Sequence, residues 1–168
     1  MEALSVTRIN ITAPYKVWND GLTYRFETDH GISYIVDFDA DDNPFFTCFW
    51  FNLTNPQNTK SPGDIKIAKT VVCIIEEFFR VNPLVLLYMC STDNGKQAQR
   101  SRLFLRWFSG YEQQQRYVLK ATDVKSVTTD GKPVKDYVAL IVQRTHPQLE
   151  EIVARFDSEI AMFNEFKP

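Results

Sequence analysis

Apolar and polar positions change period several times along this chain, and each change predicts an element. Tyr24-Arg25-Phe26-Glu27-Thr28 alternates, as a half-buried strand does. After the turn residues Asp29-His30-Gly31, Tyr34, Val36 and Phe38 share one face of a second strand. Phe45 to Leu53 is apolar on both faces, which predicts a central strand covered on both sides. Thr54 to Gly63 is rich in turn residues. Helical spacing takes over at Asp64, with Ile65, Ala68, Val72, Ile75 and Phe79 as the apolar stripe and Asn82-Pro83 as the stop.

Leu84 to Cys90 then reads as a buried strand, and Ser91 to Gly95 as a polar loop. Asp93 or Asn94 would cap a second helix, buried through Phe104 and Phe108. Tyr117 to Val124 and Val134 to Val142 predict paired strands joined through Thr129-Asp130-Gly131-Lys132-Pro133. Thr145-His146-Pro147-Gln148 opens a last helix, whose stripe is Leu149, Ile152, Val153, Phe156, Ile160 and Phe163. Residues 1–21 form a variable N-terminal segment in which Arg8 to Thr12 reads as a short strand. With no repeat, low-complexity tract or linker, the expectation is a single α+β domain over residues 1–168. Its core would be a mostly antiparallel central sheet with helices packed on it.

Composition narrows the function classes. The 168 residues suffice for one core, and an aromatic share of 14% makes ring-on-ring packing its expected texture. A formal net charge of −2 argues against general binding of nucleic acid. No apolar run reaches the roughly 18 residues of a membrane span, and Met1-Glu2-Ala3-Leu4-Ser5 has no secretory pattern. Cys48, Cys73 and Cys90 sit in apolar segments without metal-type spacing, so reduced thiols, a cytoplasmic location and no metal are expected. Asn10-Ile11-Thr12 and Asn52-Leu53-Thr54 match the glycosylation pattern but carry little weight without secretion.

Charge is distributed unevenly. From Asn94 to Tyr111 there are four positive charges and no acidic residue. Cations at a helix start just beyond a buried strand suit an anion, so Asn94, Gly95, Lys96, Arg100 and Arg102 form a candidate site. Arg102 and Arg106 lie one turn apart on the outer side and suit an acidic partner surface. A solvated helix face, or neutralisation by the acidic stretch Asp37 to Asp42, explains the same pattern.

The element order, three strands, helix, strand, helix, two strands and a C-terminal helix, resembles the acetyl-CoA-dependent N-acetyltransferase superfamily from about Leu22 to Val142. The resemblance implies an acetyl-CoA cofactor, its pyrophosphate held by backbone N–H groups in the loop Thr54 to Asp64. The family pattern there is a basic residue or Gln, two others, Gly, one other, then Gly or Ala. Lys60-Ser61-Pro62-Gly63-Asp64-Ile65 keeps Lys60 and Gly63 but ends on Ile65, and Asp64 puts negative charge where the ligand's would sit. Asn94, Lys96 and Arg100 would then lie near the acyl or pantetheine side. Phe104 stands where the family often has a proton-donating Tyr. No general base stands out; Glu27 is the nearest to one.

A second likeness, carried by Tyr24, Phe26, Gly31, Tyr34 and Arg100-Ser101-Arg102-Leu103-Phe104 with Trp107-Phe108, is to a small bacterial family of unknown function. Two expectations follow. One is an acyl-CoA-type N-acyltransferase, or a degenerate relative that binds a phosphate-bearing ligand. The other is a non-catalytic bacterial interaction protein of a defence, toxin–antitoxin or mobile-element system, docking through Arg102 and Arg106 on an acidic surface.

Overall fold

The computed structural model describes residues 1–57, 59, 63–90 and 105–166. Helix α1 (Val6–Thr12) is followed by strands β1 (Trp18–Asp20), β2 (Thr23–Glu27), β3 (Ser33–Ala40) and β4 (Cys48–Thr54). Helix α2 (Ile65–Val81) and strand β5 (Val85–Cys90) come next. A helical turn covers residues 105–108. Helix α3 (Tyr111–Arg116), strands β6 (Tyr117–Val127) and β7 (Pro133–Gln143), and helix α4 (Leu149–Phe166) complete the chain. The strands form one sheet in the order β1-β2-β3-β4-β5-β7-β6. The pairs β1–β2, β2–β3, β5–β7 and β6–β7 are antiparallel. The fold is α+β with a mostly antiparallel sheet.

Two compact units make up the chain, Met1–Ala40 with Phe51–Pro83, and Asp41–Trp50 with Leu84–Pro168. In the first, α2 supplies Ile67, Ala68, Val71, Ile74, Ile75, Phe78 and Phe79 to the core. The expected stripe through Ile65 and Val72 is therefore turned by a fraction of a helical turn: Ile65 is 68% exposed. Two apolar stripes overlap on this helix, and the fold buries the one with more aromatic and β-branched bulk. Tyr15, Phe26 and Tyr34 stack in series, with ring centroids 6.1 and 5.3 Å apart. Phe38 stacks on Phe78 at 4.9 Å, and Phe78 meets Phe79 edge-on.

The N-terminal segment corrects the expectation of a short strand. Arg8 to Thr12 belongs to α1, whose N-cap Ser5 accepts a hydrogen bond from Arg8 N–H through its hydroxyl. Burial decides this, because Ile9 alone needs to face inward and a single turn-spaced contact suits a helix.

The second unit packs Phe46, Cys48, Val85, Leu87, Val124, Val138, Leu140, Val142, Ile152 and Phe156 into one cluster. Strand β7 is buried continuously from Val138 to Val142, as a strand with neighbours on both edges should be. The β2–β3 and β6–β7 hairpins close on matching loops. Thr28 N–H donates to Ile32 O and Gly31 N–H to Thr28 O; Thr128 N–H donates to Lys132 O and Gly131 N–H to Thr128 O. Each loop needs a left-handed residue at its fourth position, and glycine takes it at φ +73° and +77°.

Candidate functional site

The start of α2 is where the sequence places a phosphate loop. Asp64 is the N-cap: one carboxylate oxygen accepts Lys66 N–H at 2.9 Å. Its other oxygen accepts the hydroxyl of Tyr15, a residue only 5% exposed. The same Tyr15 oxygen accepts Asp29 N–H at 3.3 Å, while Tyr15 N–H donates to Thr70 Oγ1. Lys66 reaches back over this joint, with Nζ 2.7 Å from Asp29 Oδ2 and 5.4 Å from the Tyr15 ring centroid. Three segments far apart in sequence thus meet around one carboxylate.

The electrostatics follow from these contacts. Burial, and then the bond to Asp64, push the Tyr15 hydroxyl above its usual pKa, so it stays a donor. The Lys66 ammonium holds the Asp29 carboxyl below the ordinary range, and Asp29 raises Lys66 in return. Both are exposed, so the pair orients the loop more than it stabilises the fold. The helix start already holds a negative charge. A second anion ~4 Å away would meet a repulsion of about 1 kcal/mol in water and about 4 at an effective dielectric of ~20.

Of the residues that the sequence nominates, Glu27, Gly63 and Arg106 are described, Glu27 being exposed at the end of β2. Gly63 is exposed, and a Cβ there would meet nothing within 4 Å, so the protein's own packing does not require glycine. Arg106 is exposed in the turn over residues 105–108, where its carbonyl accepts the Ser109 hydroxyl. Phe108 from that turn is buried, its ring 5.9 Å from Tyr117. Lys60, Asn94, Lys96, Arg100, Arg102 and Phe104 lie outside the described residues.

Four further carboxylates are engaged inside the units. Glu77, 6% exposed, receives Arg80 Nε and Nη2 at 2.8 Å each and Ser5 N–H at 3.2 Å, with Arg8 at 3.6 Å. Asp37 and Asp39 both accept Asn52 Nδ2. Asp41 accepts Trp50 Nε1 at 3.0 Å and the Cys48 thiol at 3.5 Å. Burial, reinforced by Asp41, pushes the Cys48 thiol up to about 12, so it is an unreactive core thiol. Among the described residues no group of three or more His, Cys, Asp or Glu could hold a metal, and no helix is long and apolar enough to cross a membrane.

The Asp64–Tyr15–Asp29–Lys66 joint was missed from sequence, although half of its signal was present. An Asp directly before an amphipathic helix is a capping signal. Tyr15 gave none, because a long-range contact leaves no spacing to read.

The sequence model of one protein family, a family of unknown function (DUF6169), matches residues 63–158. That is more than half of the 168 residues. The chain belongs to this family. No curated protein and no solved structure matches the chain. The family match lends nothing to the acetyltransferase likeness, which rests on element order alone. The stretch that matches contains Asp64, Lys66, Glu77 and the whole basic segment, while Tyr15 and Asp29 lie before it.

Proposed function

We propose that this chain is a non-catalytic binding domain, a relative of the acetyltransferases in element order only, and that it docks on an acidic protein surface through the segment carrying Lys96, Arg100, Arg102 and Arg106. The observation that carries this reading is the use of Asp64: the carboxylate at the start of α2 serves the fold, so of the two anion sites that the sequence nominates the basic segment is the one left. Four cations without an acid in one short span repel one another, and an acidic partner relieves that repulsion.

A second reading keeps the acyl-CoA-dependent N-acyltransferase. It rests on the likeness of element order, toward which the described residues supply β2, β3, β4, α2, β5, β6, β7 and α4. In that reading Lys60 and Gly63 face phosphate, and Asn94, Lys96 and Arg100 face the acyl arm.

One pair of titrations separates the two. A labelled acidic peptide should bind the wild-type chain at low salt, weaken steeply as salt rises, and lose binding in an Arg102→Glu, Arg106→Glu variant. Acetyl-CoA at a hundred times its dissociation constant would stabilise a true acyl-CoA binder by about 2.7 kcal/mol. A shift of that kind, with no peptide binding, replaces the first reading by the second.

A further inference from the structure

The residues at the start of α2 do not fit the group that the acetyltransferase likeness implies. A coenzyme A pyrophosphate needs free backbone N–H groups and positive potential at that helix start. Here Lys66 N–H already bonds Asp64, and the potential there is spent on the same carboxylate. Ile65 occupies the position where that loop calls for glycine or alanine, and its side chain is 68% exposed over the same turn. The Lys66 ammonium, which could have met a phosphate, is committed to Asp29.

We propose that Asp64 is the resident anion of α2, held in place by Tyr15, and that it excludes phosphate-bearing ligands, coenzyme A among them, from this helix start. The proposal goes beyond the docking reading: both start from the use of Asp64 by the fold, but this one concerns another ligand. Tyr15 is the positioning residue: 5% exposed, with its hydroxyl between Asp64 and the Asp29 amide, it fixes the carboxylate over the first turn. The joint ties the approach to β1, the β2–β3 turn and α2 together, so the capping charge also does structural service.

Thermal melts of the full chain test this, with coenzyme A and inorganic pyrophosphate as probes. Neither probe at millimolar concentration should move the wild-type midpoint. Asp64→Asn keeps an oxygen for Lys66 N–H and should lower it by roughly 1–4 °C, because about 0.3–1 kcal/mol of charge–dipole interaction is lost in a chain of this size. Asp64→Ala, which also removes the capping oxygen, should fall further, and Tyr15→Phe should fall without gaining affinity for either probe. A saturable rise of the wild-type midpoint with coenzyme A overturns the proposal. So does an Asp64→Asn variant as stable as wild type, since a carboxylate spent on the fold cannot be neutralised at no cost. Failure of acidic-peptide binding would leave these outcomes untouched, so that failure is distinguishable from the failure of this proposal.

Discussion

Glu77 is nearly inaccessible yet holds its proton less tightly than a free carboxyl, chiefly because Arg80 bonds both of its oxygens. A depressed carboxyl contributes stability that is present above its ordinary value of 4.5 and is lost as pH falls through the lower folded one. Glu77→Gln should therefore cost about 1–3 kcal/mol at neutral pH, discounted because Arg80 and Arg8 are about half exposed, and should flatten the acid limb of a urea-melt series. His146 works at a milder pH. Its Nδ1 accepts Gln148 N–H at 3.1 Å ahead of α4, and burial keeps the imidazole below its usual 6.5. The unfolded chain protonates first as pH drops below 6.5, so this stability is present above that value and fades beneath it. The protection of the first-turn amides of α4 against hydrogen exchange, relative to their intrinsic rates, should fall between pH 7 and 5, and His146→Ala should remove the dependence.

Among the elements, α2 offers a direct check on which stripe the fold buries. Ile74 is fully buried and Ile65 is 68% exposed, though both look apolar in the sequence. Ile74→Ala should cost about 2–5 kcal/mol in denaturant unfolding, whereas Ile65→Ala should stay within about 0.5 kcal/mol. Strand β6 lies at an end of the sheet order, where unpaired backbone groups invite association. Asn164 of α4 covers part of that edge: its Oδ1 accepts Lys125 N–H at 2.9 Å and its Nδ2 donates to Asp123 O. Asn164→Ala should make the protein associate at concentrations where wild type does not, readable by light scattering.

Across the whole molecule, the chain crosses between its two units more than once. Residues 41–50 belong with 84–168, and Phe46 and Cys48 from that short segment sit in the second unit's core. A fragment of residues 84–168 lacks both side chains. Removing a buried Phe costs about 3–5 kcal/mol, a large part of the 5–15 kcal/mol that typically holds a domain together. The fragment should melt without cooperativity, while Phe46→Ala in the full chain should melt cooperatively at a lower temperature. The family match begins at residue 63, inside the first unit, and so does not coincide with either unit.

Periodicity carried much of this in the sequence. Strands β2 and β3, helix α2, the β6–β7 hairpin and α4 are written in local spacing, because burial on one face imposes a period that a single strand or helix displays. The glycines of both hairpin loops are legible for the same local reason. Tertiary structure alone decided which of two stripes α2 turns inward, that Arg8 to Thr12 coils, and that the Asp64 carboxylate answers to Tyr15 and not to a visitor. Those outcomes depend on partners some fifty or more residues away, and hydrogen bonds across that span leave no mark on the order of neighbouring residues.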